Sequence, residues 1–376
     1  MTGVERVLVV GGGIGGLSST IALRKAGVGV DVVELNPKWD VYGVGIIQPG
    51  NAIRALDQLG LGEKAIAEGF AIQGSRFRDG EGNVLGAVPA PPLLGDRFPG
   101  MNGITRPRLH RIFQDAVRES GAEVRLGVTV DALEQDDDGV DVTLTDGSSG
   151  RYDLVIGADG INSLVRGRVF GDAPEPEYTG QVVWRHNFPK PPEQDTLDTF
   201  VGVRGKAGLV PLAPDLMYMF VIERWPGDDL DVPEERLAET LRERLAGYGG
   251  IIGELRDTQI TEQSEIVYRP VYSLLVPPPW YRGRVVLVGD AAHATSPHVG
   301  QGAAMAIEDA VVLADEVGSS DDLDGALERF MTRRFDRCKR IWEISRQLGT
   351  WEIEEARDAD FVGLTIESVH LTAAPI

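Results

Sequence analysis

Cysteine is almost absent from this sequence, since Cys338 is its single representative among 376 residues. One cysteine excludes an intrachain disulfide framework and fits a reducing compartment. Long apolar runs are missing too, because no segment approaches the ~20 apolar residues that a membrane span needs. The apolar stretch Val7–Val10 is too short for a signal peptide. We therefore expect a cytoplasmic protein with no membrane partner.

Basic residues are scarce relative to acidic ones. Lysine and arginine number 37 against 58 aspartates and glutamates, which gives a formal net charge of −21. Nucleic-acid binding requires a basic face, so we expect no nucleic-acid partner. An acidic surface does not exclude an anionic cofactor, because helix dipoles and a few arginines can outweigh the net charge locally. The length suggests two or three domain-sized units, and no internal repeat is visible.

The N-terminal segment has the pattern of a βαβ unit. Residues 6–10 predict a buried strand, residues 15–26 a helix and residues 28–34 a second strand. Short links between such elements imply parallel pairing and a right-handed crossover.

A glycine motif, Gly11-x-Gly13-x-x-Gly16, joins this first strand to the helix. Gly11 permits a tight turn, Gly13 lets the backbone approach a pyrophosphate, and Gly16 lets helix and strand pack closely. Amides at the helix N-terminus then hold the phosphates, and Glu34 at the end of the next strand can bind ribose hydroxyls. The motif predicts a dinucleotide site and leaves FAD and NAD both open.

Two later motifs favour FAD. Asp159-Gly160 follows an apolar strand, and Asp290 follows another within Gly-Asp-Ala-Ala-His. The Asp290 carboxylate can accept hydrogen bonds from a polyol. The turn at 300–302 opens a helix at Ala303 whose free amides can stabilise negative charge on a reduced flavin. A ribityl chain and an isoalloxazine ring need this second turn, whereas a simple nicotinamide dehydrogenase does not.

The rest of the chain is rich in predicted strands, at 181–188, 199–204, 207–212, 217–223 and 264–272. A helix at 233–246 interrupts them, residues 247–253 are interpreted as a turn, and a last helix covers 323–356. We expect an α/β fold: a Rossmann-like FAD-binding domain, an inserted α+β substrate domain rich in sheet, and a C-terminal helix. The predicted boundaries are 1–73, 101–175 and 278–322 for the first domain, 74–100 and 176–277 for the second, and 323–376 for the C-terminal segment.

The three motifs, in this order and spacing, resemble the class A flavoprotein monooxygenases, the p-hydroxybenzoate hydroxylase-like family. The resemblance covers about residues 5 to 340. It implies bound FAD, transient NADH or NADPH, and transfer of oxygen from a C4a-hydroperoxyflavin to a small phenolic or anionic aromatic ring. A flavin-dependent oxidase, dehydrogenase or reductase is the alternative on this scaffold. The tryptophans do not form the Trp-x-Trp-x-x-Pro element of flavin-dependent halogenases.

The resemblance also assigns residues. Leu35 stands where the family has arginine, so Lys38 is the expected replacement contact, and Pro49-Gly50-Asn51 departs from the usual Pro-Asn. No metal site is expected. The predicted FAD-binding residues are Gly11, Gly13, Ile14, Gly15, Gly16, Glu34, Lys38, Gly45, Ile46, Arg106, Val130, Asp159, Gly160, Asp290, Gly300, Gln301, Gly302 and Ala303.

Substrate residues follow less directly from the sequence. Lys206 could anchor an anionic substrate or be an exposed charge, and Tyr218 could bind the ring or pack in the core. His298, which follows Pro297 beside the expected flavin, could titrate near neutral pH or lie in a surface loop. Arg185 is a further candidate. The chain is expected to be a monomer or a homodimer formed through the C-terminal helix.

Overall fold

The structure is a computed structural model that describes residues 3–41, 43–202, 204–225, 227, 229–356 and 358–376. The helices are α1 (Ile14–Lys25), α2 (Gly50–Leu59), α3 (Gly62–Ala67), α4 (Arg106–Glu119), α5 (Leu164–Val169), α6 (Leu237–Arg244), α7 (Gly250–Thr258), α8 (Asp290–His293), α9 (Gly302–Gly318), α10 (Leu323–Ile353) and α11 (Phe361–Ala373). None of these helices combines the length and apolar character that a membrane crossing would require.

The strands group into several sheets. They are β1 (Arg6–Val10), β2 (Gly29–Glu34), β3 (Gly45–Pro49), β4 (Phe70–Ala71), β5 (Gly74–Arg78), β6 (Val84–Pro89), β7 (Met101–Thr105), β8 (Glu123–Leu126), β9 (Val130–Gln135), β10 (Val140–Leu144), β11 (Ser149–Tyr152), β12 (Leu154–Gly157), β13 (Glu177–Pro189), β14 (Leu197–Val201), β15 (Lys206–Ala213), β16 (Leu216–Arg224), β17 (Val267–Ser273), β18 (Tyr281–Arg282) and β19 (Val285–Leu287).

The first sheet has the order β18–β19–β12–β1–β2–β8, and it is parallel except at β18. Its central strands are continuous apolar runs, such as Val7–Val10, because both faces are covered. Helix α1 follows β1 directly, and its middle is buried. The predicted α/β class and βαβ unit are therefore confirmed, and the carboxyl ends of β1, β2, β12 and β19 form one edge where ligands of such folds bind.

The second sheet has the order β17–β13–β16–β15–β14–β5–β6. One face is covered by α6 and α7 through an apolar cluster that includes Trp184, Met219 and Ile252. The opposite face packs its lower end, around Leu212 and Tyr218, against the small sheet β3–β7–β4. The part of that face around Arg185 and Phe220 borders the candidate site.

Some local predictions were wrong. Residues 247–253 were predicted to be a turn, but α7 starts at Gly250, where φ is +52°, and buries Ile252 and Leu255. Gly249 and Gly250, which suggested a turn, form the start of the helix. The apolar residues that follow have helical spacing. The predicted helix at 233–246 is shorter, as α6. Strand β14 ends at Val201, before the predicted 204; Val203 in that span lies outside the described residues.

The C-terminal segment contains two helices instead of one. Helix α10 buries Phe330 and Ile341 against the first domain, and α11 then folds back along it. The Arg337 guanidinium holds the end of α11 by donating to the Thr372 carbonyl at 2.9 Å. The oligomeric state stays a prediction.

Candidate functional site

The three motif glycines in the turn after β1 have different roles, as their surroundings show. Gly11 has φ +111°, and a Cβ there would lie 2.4 Å from the Ala158 carbonyl oxygen. A Cβ at Gly16 would lie 1.9 Å from the Gly11 carbonyl oxygen. A Cβ at Gly13, by contrast, would meet no atom within 4 Å. Gly11 and Gly16 are therefore required by the fold, whereas Gly13 leaves open space at the N-terminus of α1, where an anion is favoured.

Glu34 braces this turn. Its carboxylate accepts hydrogen bonds from the amides of Gly12 and Asn36, both at 2.6 Å. The Trp39 indole donates to the Gly12 carbonyl at 3.1 Å, and His110 Nε2 lies 2.9 Å from the same oxygen. Burial lowers the pKa of His110. A carboxylate has about four acceptor sites, so two amide contacts leave capacity for ribose hydroxyls.

Asp290 lies at the start of α8 with its side chain exposed to the cleft. Its carboxylate accepts no hydrogen bond from the described residues. The surrounding protein raises the pKa of Asp290 by desolvation, against the opposing charges of His293 and Arg106. The turn that presents it, Gly289 with φ +60°, is fixed because the Gly289 amide donates to Asp309 Oδ2 at 2.9 Å. Asp290 is thus a rigidly placed, unsatisfied acceptor.

A buried ion network below this turn supports it. Arg334, which is fully buried, donates to Asp309 Oδ1 at 2.8 Å and to Glu308 Oε2 at 2.9 Å. Arg337 donates to Glu308 Oε1 at 2.9 Å. Burial opposes ionisation of Asp309, but the charges of His293 and Arg334 outweigh it and hold the pKa of Asp309 well below its usual range. Cys338 belongs to the same cluster and accepts from Arg334 at 3.3 Å.

The turn before α9 is tied to α2. Gln301 exchanges hydrogen bonds with Asn51 at 2.9 and 3.2 Å, and Asn51 also donates to Glu308 at 3.0 Å. Asn51 thus links α2 to the turn before α9 and to Glu308. Gly300 has φ +64° and open space beside it, and the half-buried Ala303 lies in the first turn of α9. The first amides of α9 have no intrahelical acceptor, as at every helix start.

The Asp159 carboxylate caps a helix. It accepts from the Ser163 hydroxyl and from the Val165 amide at 3.1 Å, at the N-terminus of α5. Arg166, also in this motif, donates to the Ala291 carbonyl at 3.1 Å and so braces α8. The contribution of the Asp-Gly motif seen in the structure is support of the neighbouring turns; direct contact with FAD stays a prediction.

The other predicted cofactor residues differ in their exposure. Ile14 is half-buried at the start of α1, and a Cβ at Gly15 would make only ordinary contact with Ala306. Gly160 has φ +80° and open space beside it. Lys38 is exposed. Val130 buries its side chain in the core, so only its backbone could reach a ligand.

The second sheet presents Tyr218 and Arg185 on the face that packs against β3. Asn187 pairs with Tyr218 and Arg185 with Phe220. Directly paired residues point to the same face, so these side chains share it. Tyr218 is buried against β3, where a Cβ at Gly45 would lie 2.4 Å from the tyrosine ring. The Tyr218 hydroxyl has no hydrogen-bond partner among the described residues.

Three arginines give this space a positive charge. Arg185 is partly buried and forms no ion pair or hydrogen bond with the described residues. Burial lowers the pKa of Arg185, and the nearby charges of Arg106 and Arg269 lower it further. Arg106 is exposed and extends along Gly43, where a Cβ would lie 2.8 Å from the Arg106 Cδ. Burial also raises the pKa of Tyr218, which keeps its hydroxyl protonated. The space is therefore suited to an anion.

Lys206 and His298 are brought together by a carboxylate that sequence analysis missed. Lys206 Nζ donates to Glu352 Oε1 at 2.6 Å, and His298 Nε2 lies 3.1 Å from Glu352 Oε2. His298 Nδ1 lies 2.9 Å from the Ser296 hydroxyl, so both imidazole nitrogens are occupied. The Lys206 charge is balanced within the protein, and the fully buried His298 side chain faces α10. Neither offers a free charge or base to a ligand in this arrangement.

Two segments complete the boundary of the cleft. Ile46 is half-buried in β3, opposite Ile104. Pro297 starts a single turn of 3-10 helix, Pro297–Val299, directly before Gly300. These segments lie between the glycine turns and the second sheet, where the flavin ring is expected.

The donor set fits FAD. The cleft offers open space at Gly13 beside a helix N-terminus for a pyrophosphate, and an unsatisfied carboxylate at Asp290 for a polyol. Arg106 and the start of α9 supply positive charge near the expected ring. A nicotinamide dinucleotide would leave the Asp290 and Gly300 turns without a ligand.

Comparison with known proteins agrees with this geometry. The family described as FAD binding domain matches residues 5–323. The FAD-dependent urate hydroxylase of Klebsiella pneumoniae is 33% identical over 343 residues, 89% of this chain and 87% of that protein. The 3-hydroxybenzoate 6-hydroxylase 1 of Aquipseudomonas alcaligenes is 33% identical over 355 residues, 91% and 88% of the two chains.

A solved structure extends the likeness to the whole fold. The crystal structure of Klebsiella pneumoniae HpxO complexed with FAD and uric acid superposes with a TM-score of 0.86 at 28% identity. The alignment covers 99% of this chain and 97% of that one. The two relatives, both 33% identical to this chain, are named for urate and for 3-hydroxybenzoate. Overall sequence identity therefore does not select the substrate.

Proposed function

The chain belongs to the FAD binding domain family of class A flavoprotein monooxygenases, and from this premise we propose that it consumes NADH or NADPH and O2 to hydroxylate a small phenolic or anionic aromatic or heteroaromatic ring. Bound FAD supplies the redox chemistry and the activation of O2. The protein residues bind and orient both cofactor and ring. The predicted FAD contacts at Gly13, Glu34, Arg106 and Asp290 are part of this proposal.

The observation that carries the substrate class is the unpaired Arg185. A cation held in a partly buried site without an acidic partner is costly unless a ligand supplies the negative charge. Arg106 and Arg269 add to its positive field, and Lys206 does not, because Glu352 already balances it. A carboxylate or phenolate on the substrate therefore binds to Arg185.

Tyr218 is the second group that faces the ring. Its hydroxyl is protonated at neutral pH, since burial raises its pKa, and it lacks a partner among the described residues. It can donate a hydrogen bond to a ring oxygen and so favour the electron-rich form that accepts oxygen. The apolar residues beside it, including Val210 and Leu212, exclude water from the ring.

The test is NADH and NADPH oxidation by the purified, FAD-loaded protein in the presence of hydroxybenzoates and hydroxylated heteroaromatics. We expect one class of ring to accelerate oxidation severalfold, with stoichiometric O2 uptake and a hydroxylated product. Oxidation that no aromatic compound stimulates, and that yields only peroxide, would refute the hydroxylase and leave the oxidase or reductase alternative. A flavin that neither NADH nor NADPH reduces would refute the proposed electron donor.

A further inference from the structure

A row of apolar side chains crosses the second sheet from the candidate site towards its free edge. Val201, Phe77 and Val88 are 36%, 39% and 57% exposed. Together with Gly208 and Phe220 they are called the apolar lane. Single exposed apolar residues are ordinary, but several exposed apolar residues on one sheet face beside a ligand site are typical of a binding surface.

Register places the lane on the face that carries Arg185. Directly paired residues point to the same side of a sheet. The pairs that establish this are Arg185–Phe220, Phe220–Gly208, Gly208–Thr199, Thr199–Phe77, Val201–Lys206 and Val88–Ser75. From Phe220 on β16 to Phe77 on β5 is three strand spacings, about 14 Å.

Gly208 keeps the inner end of the lane flat. A Cβ at this position would lie 2.2 Å from Cζ of Phe220, so the phenyl ring lies over Gly208. The ring thereby forms a smooth apolar surface that continues from Arg185 into the lane. A larger residue at position 208 would lift the ring into that space.

The charges of the outer strands lie on the other face. Arg78 donates to Asp198 at 2.6 Å, and Asp198 also accepts an ion pair from Arg76. Asp198 pairs with Leu209, which belongs to the core under α6 and α7. The outer strands thus put their charges on the helix-covered side and leave apolar groups on the open side, the reverse of the usual arrangement.

We propose that the substrate carries an apolar chain, which lies along the apolar lane while Arg185 binds the anionic or phenolic ring. The inference rests on the proposed function, because it extends the same site. Charge complementarity fixes the orientation: the positive end of the surface is at Arg185, and the residues that define the lane are uncharged, with the balanced Lys206–Glu352 ion pair beside them. Because the positive space beside Arg185 adjoins the apolar lane at Phe220, the two together suit an amphipathic ligand.

The test is calorimetric binding to the FAD-loaded protein without NADH or NADPH. The probes are hydroxybenzoates with a methyl, butyl or octyl chain para to the hydroxyl. With one side of the chain left in water, affinity should rise about twofold per methylene, or about a hundredfold from methyl to octyl. Phe77→Ser and Val201→Ser should each reduce octyl affinity about fivefold and leave methyl affinity unchanged.

Val84→Ser is the matched control. Val84 is 55% exposed on the same hairpin, but it pairs with Arg78 and lies on the opposite face. Equal affinities for methyl and octyl probes would overturn the proposal, and so would an equal loss in Val84→Ser and Val201→Ser. A wild-type dimer that Phe77→Ser dissociates would assign the lane to a second copy and overturn it as well. Turnover of the methyl probe tests the proposed function separately, because it does not require the lane.

Discussion

Replacement of Glu352 by glutamine should destabilise the protein by about 3 kcal/mol, although Glu352 lies near the C-terminal end of α10. The carboxylate joins three elements: it accepts from Lys206 at 2.6 Å and from Gln181 at 3.3 Å, and it lies 3.1 Å from His298. The Glu352 and Lys206 side chains are only 15% and 16% exposed, so water screens the pair weakly.

The magnitude follows from the ionisation of Glu352. Burial raises its pKa, but the charge of Lys206 and the contact with His298 outweigh burial and lower it from 4.5 to about 2. A tenfold change in an ionisation equilibrium is worth about 1.4 kcal/mol, so the carboxylate contributes about 3 kcal/mol at neutral pH. Removal of one partner from a buried ion pair costs a similar amount, about 3–5 kcal/mol.

The pH dependence has a defined sign. Because the pKa of Glu352 is lower in the folded than in the unfolded protein, its contribution is fully present above about 4.5 and is lost as the pH falls towards about 2. The stability difference between wild type and Glu352→Gln should therefore be largest at neutral pH and shrink below about pH 4.5.

The assay is urea unfolding of both proteins between pH 7 and pH 3.5, with Glu354→Gln as the control. Glu354 is exposed two residues further on and forms no ion pair among the described residues. Its loss should change the free energy of unfolding by less than about 0.5 kcal/mol. Equal effects of the two substitutions, or a Glu352→Gln difference that does not shrink with acid, would refute the reasoning. A second substitution, Lys206→Met, should recover part of the loss by removing the unpaired cation.

Three further predictions concern the cofactor and the ring. Gly13→Val should leave the thermal unfolding of the apoprotein nearly unchanged but reduce its FAD content more than tenfold, measured by the absorbance of bound flavin. Gly16→Ala should instead prevent stable folding, which thermal unfolding would show. Arg185→Met should raise the KM for an anionic substrate about ten- to hundredfold while leaving the free protein equally or more stable, measured by steady-state kinetics and urea unfolding. Asp290→Asn should weaken FAD binding in a flavin titration but leave urea unfolding of the apoprotein nearly unchanged, because the Asp290 side chain is exposed and accepts no hydrogen bond from the described residues; a large loss of apoprotein stability would contradict this.

Local sequence patterns predicted the βαβ unit that carries the glycine turn. The Gly11 turn, β1, α1 and β2 are contiguous in the chain, and their spacing alone determines the geometry. The structure also shows open space beside Gly13 and close packing at Gly16, as the motif predicts. The confirmed α/β class and family membership follow from the same local signals.

The substrate side could not be predicted in the same way, because its contacts join distant parts of the chain. Lys206 and Glu352, for example, are 146 residues apart. No periodicity reports which carboxylate will balance Lys206. The face of Phe77 likewise depends on the order β15–β14–β5, in which β5 comes from a separate segment. Strand order is a tertiary property, and the apolar lane is visible only once it is known.

Two arginines show how the structure separates support from ligand binding where the sequence cannot. Arg334 is fully buried, yet Glu308 and Asp309 satisfy it, and their charges raise its pKa against the effect of burial. Arg185 has no carboxylate partner among the described residues, and burial and like charges lower its pKa. The same side chain is thus stabilised in one place and left unsatisfied in the other. An arginine beside Tyr218 that no carboxylate of the described residues balances has the electrostatics of a site that a negatively charged ligand completes.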